Sequence, residues 1–260
     1  MKFEIRYTPV VELVKVSGDL SILGEFCKKV YGINVDVKKF PIKILKKKHM
    51  SLFEFIDTIW YIEASRVFTH EFVRHRIASY WQESQRYVKA KPIFLLPRSL
   101  VEKIGRDELG KLIALLSDLY GFYEDLIDKT KVKEFGEDFK QIARYILPQC
   151  TLTKIYTKFN LRELIEVIFP LRMCKRAQPE FRYVVIKMYL KLKEVLGEYN
   201  EILKYTGPRC IWYSKCPEFG YTNEDVMKKC RVEAYKEAIL EHGTDEEIKR
   251  IDEILSSLAL

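Results

Sequence analysis

The sequence predicts an α/β (α+β) chain, helix-rich with a small sheet, and three observations carry that expectation. Apolar residues recur three or four apart along most of the 260 residues, residues 2–16 alternate instead, and no segment repeats at a period of about 20 to 50 residues. With 48% hydrophobic content the chain can bury a full core.

Within residues 2–16, Phe3, Ile5, Tyr7, Val11, Leu13 and Val14 alternate loosely and read as a strand, after which residues 19–31 take helical spacing. Ser51-Leu52-Phe53-Glu54 has the form of a capping box, in which the serine hydroxyl accepts from the third helical N–H and Glu54 reaches back. A helix is therefore expected from Leu52, along Ile56, Ile59, Trp60, Val67, Phe72 and Val73, with no breaker before Pro92. Further helices are expected over residues 99–129, 137–146, 161–169, 181–203, 223–240 and 245–258. Gly207-Pro208 stops a helix and the residues to Tyr221 lack periodicity, so a boundary there separates a main domain, 1–206, from a C-terminal loop and helical extension, 207–260.

No run of about 18 uncharged apolar residues is present, and Met1-Lys2-Phe3-Glu4 is not a signal-peptide opening, so no membrane association and a cytoplasmic location are expected. Cys27, Cys150, Cys174, Cys210, Cys216 and Cys230 are too scattered for a disulfide framework and read as reduced thiols. The gap between Cys210 and Cys216 fits none of the usual zinc spacings, so no metal is expected. The net charge of +8 is modest, and Lys46, Lys47 and Lys48 with Lys38 and Lys39 read as a solvated patch, nucleic-acid binding being the minority reading.

The stretch EFVRHRIASYWQESQRYV, residues 71–88, gathers Arg74, His75, Arg76 and Arg86 around Ser79 and Ser84 without a glycine or proline. Adjacent helical residues point about 100° apart, so Arg74, His75 and Arg76 must serve different ligands or different parts of one. Charge at a helix C-terminus accounts for one arginine. A phosphate site, with bidentate guanidinium forks and hydroxyl donors, accounts for Arg86 beyond Ser84 as well, and composition leaves the two readings level. Ala143-Arg144, Asn160-Leu161-Arg162, Leu171-Arg172 and the run from Arg176 to Arg182 could each be surface salt-bridging groups; together, on an apolar background, they raise the odds of a nucleotide pocket.

Arg74-His75-Arg76, seven residues, then Ser84 and Arg86-Tyr87 resembles the signature of the flavin-dependent thymidylate synthases, the ThyX family. His49-x-Ser51-x-x-Glu54, Ser65-Arg66 and His70 before it, and Ala143-Arg144, Asn160-x-Arg162, Leu171-Arg172 and Ala177-Gln178-x-Glu180-x-Arg182 after it, follow the family's order over residues 45–190. The resemblance implies a ThyX-like catalytic domain, a homotetramer with active sites at subunit interfaces, and flavin adenine dinucleotide (FAD) as cofactor. The implied reaction methylates deoxyuridine monophosphate (dUMP) to dTMP, with carbon from methylenetetrahydrofolate or a related pterin carrier and electrons from NADPH or another reductant.

By the same resemblance Arg74, His75, Arg76, Asn160 and Arg162 contact the flavin, while Arg74, Gln82, Ser84, Arg86, Arg144 and Arg172 hold the nucleotide, Arg172 at the uracil ring. A fixed guanidinium there would stabilise negative charge on the ring and make carbon 5 nucleophilic, so Arg172 leads as the catalytic residue. Ser84 is the second catalytic candidate; with no histidine or lysine beside it in sequence, its expected role is orientation by hydrogen bonding.

The chain departs from the family at Phe55, where a histidine is usual, at Glu71 for glutamine, at Trp81 for a small polar residue, at Pro179 for tryptophan, and at Glu166. The alternatives that these changes leave are a paralogue alkylating another pyrimidine nucleotide and a non-catalytic nucleotide- or RNA-binding protein.

Overall fold

The computed structural model describes residues 3–129 and 139–258. The expected N-terminal strand is two, β1 (Glu4–Arg6) and β2 (Val10–Ser17), with Pro9, which has no N–H for a ladder, between them. Helix α1 (Ile22–Tyr31) follows as expected and ends on Gly32 at φ 66°, a left-handed cap that glycine takes without a Cβ penalty. Then comes α2 (Phe40–Lys46), with Pro41 in its first turn.

The helix expected from Leu52 is corrected by the structure. Ser51–Phe55 is a 3-10 turn with no side-chain cap, and β3 (Asp57–Ser65) follows. Its burial alternates strictly, with Thr58, Trp60, Ile62 and Ala64 inward, a period of two that the β-branched and aromatic content supports. Only α3 (Arg66–Phe72) is helical, started by the Ser65 hydroxyl accepting from the Phe68 N–H. The 71–88 stretch therefore opens on the last two residues of α3, as a helix end was expected to deliver it, and then passes through a turn into β4 (Ser79–Gln82).

Strand β5 (Ile93–Leu95) pairs in parallel with β1. The expected helix over 99–129 is present as α4 (Arg98–Lys103) and α5 (Arg106–Lys129), separated at Ile104-Gly105. The helix expected over 137–146 begins outside the described residues and is present as α6 (Phe139–Ala143) plus a 3-10 turn. Strand β6 (Leu152–Asn160) had no counterpart in the sequence reading. Threonines 153 and 157 occupy its inward face beside Ile155 and Phe159, which disguises the apolar alternation.

The helix over 161–169 is α7 (Leu161–Glu163), a π turn, and α8 (Phe169–Arg172) in succession. Helix α9 (Pro179–Leu196), capped by Gln178, continues as a 3-10 segment to Tyr205. The C-terminal residues form α10 (Arg209–Tyr213), α11 (Glu224–His242), α12 (Asp245–Lys249) and α13 (Ile251–Ser257).

Strands β2-β3-β6-β4 make one antiparallel sheet in that order. Helix α9 packs on β2, α3 and α11, and Ala234, Tyr235, Ala238, Ile239, Leu255 and Leu258 share one apolar cluster with Trp60, Ile62 and Phe159 of the sheet. The segment after Gly207 is thus built into the main core. No helix among the described residues is long and apolar enough to cross a membrane.

Candidate active site

Between α3 and β4 the chain turns tightly, with the Arg74 and His75 amides closing onto the Glu71 and Phe72 carbonyls. The Tyr80 hydroxyl reaches back to the carbonyls of Phe72 and His75, at 2.8 and 2.7 Å, and so fixes the turn to the sheet. In this turn the three neighbouring cations do diverge: His75 is buried, while Arg74 and Arg76 are exposed.

Arg172, at the end of α8, donates from Nε to His75 Nε2 at 3.0 Å and from Nη1 to Glu71 Oε2 at 2.8 Å. Its guanidinium lies 4.4 Å from the centre of the Phe181 ring. Because Nε2 of His75 accepts, that imidazole is neutral with its proton on Nδ1. Burial, and then the Arg172 charge, pull the His75 pKa from its ordinary 6.5 down to about 4. The folded pKa lies below the unfolded one, so the neutral ring's contribution to stability is complete above pH 6.5 and is lost as pH falls toward 4. An imidazole NMR titration should give His75 a midpoint near 4; a midpoint near 6.5 would contradict the buried contact.

A separate cavity of about 370 Å³ is lined by Arg66, His70, Gln85, Arg144, Tyr145 and Pro148, among others. Arg66 and His70 stand one turn apart on α3, with Arg66 Nη2 3.4 Å from His70 Nε2. Burial and then the neighbouring Arg144 charge lower the Arg66 pKa. Among the described residues neither guanidinium has a carboxylate partner; the Arg144 Nε instead donates to the Gln141 carbonyl. Gln85 is 5% exposed and its amide nitrogen has no partner. Two like charges with an unsatisfied amide donor between flanking residues Ser84 and Arg86 constitute a site for an anion.

The remaining expected residues hold the scaffold in this structure. Ser84 Oγ accepts from the Arg86 amide at 3.4 Å, and the Arg86 guanidinium lies over the Tyr87 ring. Gln82 donates to the hydroxyls of Thr69 and Thr153. Asn160 caps α7 by accepting from the Glu163 amide, and Arg162 is paired with Glu54 and Glu166. Arg172 and Arg144 line different cavities, the former with Cys174, Arg176 and Arg209. Sequence reasoning assigned no role to Arg66, His70 or Gln85; the four-residue spacing of the first two was the available signal.

Glu180 ties the two halves of the region together. Its carboxylate, buried at the start of α9, accepts from the Ser65 amide at 2.8 Å and from the Ser65 hydroxyl at 2.6 Å. Burial raises this carboxyl's pKa while the two Ser65 donors lower it again. Arg182, two residues on, is 1% exposed and donates to the carbonyls of Cys174, Lys175, Ala177 and Ala234 and to Glu237. The lysine patch is engaged within the chain, Lys46 over the Tyr205 ring and Lys48 over Trp212 and Tyr213, which disfavours the polynucleotide-binding reading.

Residues 13–197 match the family model described as thymidylate synthase complementing protein (Thy1). The chain is 37% identical over 204 residues to the flavin-dependent thymidylate synthase of Pyrococcus furiosus, an alignment that covers 75% of this chain and 79% of that one. It is 36% identical over 190 residues to the protein of the same name from Geobacter sulfurreducens, covering 72% and 76% of the two chains. The fold is similar to that of a UMP/dUMP methylase, PolB, from Streptomyces cacaoi, at a TM-score of 0.64 and 18% identity over 80% of this chain and 98% of that one. With the arginine motifs in order on a fold of this kind, and the family model matched over most of its length, the chain belongs to the flavin-dependent thymidylate synthase family.

Proposed function

We propose that this protein is a flavin-dependent thymidylate synthase that methylates dUMP at carbon 5, with FAD as cofactor. The observation that carries the reading is the cavity between Arg66 and Arg144, two guanidiniums that face one space without a carboxylate and match the dianionic phosphate of a nucleotide. Ser84 and Arg86 flank Gln85, which lines the cavity, and Ser84 acts by hydrogen bonding, its oxygen already accepting from a backbone amide.

Arg172 is the group for the pyrimidine. It is held on three sides by Glu71, His75 and Phe181, so its charge is fixed in direction before substrate arrives. Glu71 sets its charge against that of Arg172 and faces any anionic ring, so it must yield the guanidinium or stay beside it as a brake on charge development. His75, neutral, neither repels the arginine nor supplies a proton.

Arg74 and Arg76 fit a flavin dinucleotide: both are exposed, with no carboxylate partner among the described residues, beside the exposed apolar surfaces of Val73, Ile77 and Trp81. When bound, FAD supplies the electrons that reduce the transferred carbon to a methyl group. A folate or pterin carrier brings that carbon, and NADPH or another reductant reloads the flavin. The split of Arg144 and Arg172 between two cavities, with the row of half-buried Tyr61 and exposed Tyr156 and Trp81 in register across β3, β6 and β4, supports a homotetramer whose sites are completed by a second copy.

Purified protein should take up FAD, then release the carbon-5 proton of dUMP when reduced flavin and a one-carbon carrier are present, and light scattering should give a multiple of the chain mass. A protein that fails to bind added FAD would overturn the reading, and proton release from UMP but not dUMP would redirect it to the ribonucleotide.

A further inference from the structure

Four of the six cysteines, far apart in sequence, meet in space. Cys174 follows α8, Cys210 is in α10, Cys216 is in the loop beyond it and Cys230 is on α11, and all four line one small cavity with Met173, Met227 and Phe219. All six thiols of the chain are free, and the other two, Cys27 and Cys150, lie elsewhere.

Two of the sulfurs are provided with N–H donors. The Phe219 amide donates to Cys216 Sγ at 3.4 Å, and Arg231, 4% exposed, donates from Nη1 to Cys210 Sγ at 3.5 Å. Outer hydrogen bonds of this kind orient sulfur ligands and tune the metal they hold. Arg231 and Lys175 also line the cavity, each paired with a glutamate, Glu224 and Glu233. Arg182 fixes the backbone on which Cys174 sits, through the carbonyls of Cys174, Lys175 and Ala177. Nothing in the flavin or nucleotide chemistry calls for four thiols here.

We propose that Cys174, Cys210, Cys216 and Cys230 are the ligands of a thiolate-bound metal centre, occupied by zinc or by an iron–sulfur cluster, which joins the C-terminal segment to the end of α8. Cysteine sulfur, with no competing imidazole or carboxylate in the set, selects these soft centres over magnesium, calcium or manganese. Among the described residues no three ligand side chains converge on a single ion. Loading therefore requires the thiols to turn inward around the metal centre, and a multi-iron core requires the small cavity to open further. The spacing rule overlooks the set because one ligand precedes the Cys210-x5-Cys216 pair by a whole helix and another lies on the helix after it.

The full chain should be produced without oxygen, with zinc, iron and sulfide all supplied, and its metal content measured. Either about one zinc per chain, or about four iron with matching acid-labile sulfide, is expected, and the two contents tell the centres apart. Cys210→Ser and Cys216→Ser should each lose most of that metal, whereas Cys27→Ser should keep it. Less than about one-tenth of the expected metal in the unaltered chain would overturn the proposal, whether or not the variants fold. So would full metal retention in folded Cys210→Ser protein. Because metal content is read without flavin or nucleotide, failure here leaves the synthase reading untouched, and failure of that reading leaves this one standing.

Discussion

Arg172→Ala should lower kcat by about 100- to 1,000-fold, the usual cost of removing one preorganised donor from developing charge. Nucleotide binding, by contrast, should weaken only a few-fold, because the proposed phosphate seat, the cavity lined by Arg66 and Arg144, does not include Arg172. The substitution also frees Glu71 and strips His75 of its donor, so Arg172→Lys is the informative companion. Lysine keeps the charge but not the fork, and an intermediate rate would assign the effect to guanidinium geometry. Steady-state rates beside calorimetric dUMP titrations separate the two quantities; unchanged turnover would remove Arg172 from the mechanism.

The largest effect on stability is expected at Arg182. Arg182→Ala deletes five donor contacts from a fully buried position, leaving the carbonyls of Cys174, Lys175, Ala177 and Ala234 without that partner and Glu237 without its cation. The loss should be about 3 to 5 kcal/mol, equivalent to a fall in Tm of about 10 °C, measured by calorimetry or circular dichroism. A fall smaller than about 2 °C would mean that the contacts between α9, α11 and the 174–177 loop are held by apolar packing alone.

Arg182 also shows what sequence could and could not disclose. As a member of the Gln178-x-Glu180-x-Arg182 motif it resembled a site residue, yet it and Glu180 are buried girders, since a motif records that residues are needed together without saying whether they touch ligand or one another. The long helices were legible because a 3.6-residue period persists over several turns, as in α5, α9 and α11. Strands β3 and β6 were not: Ile56, Ile59 and Trp60 suit either period over so short a window, and threonine stands at inward positions of both strands. The anion cavity was half legible. Arg144 was assigned through its motif, whereas Arg66, quoted in a motif without a role, and Gln85, which no motif marked, acquire meaning only when α3 and the turn after β4 line the same space. The four cysteines were hidden for the same reason, their closeness being a property of tertiary packing.

The Ser65–Glu180 contact has a mechanical consequence. Ser65 begins the helix that carries Arg66 and Glu71, and Glu180 precedes Phe181, the ring beneath Arg172. One carboxylate therefore couples the first turn of α3 to the residue that precedes the Phe181 ring, so that a movement of either helix is carried to the other.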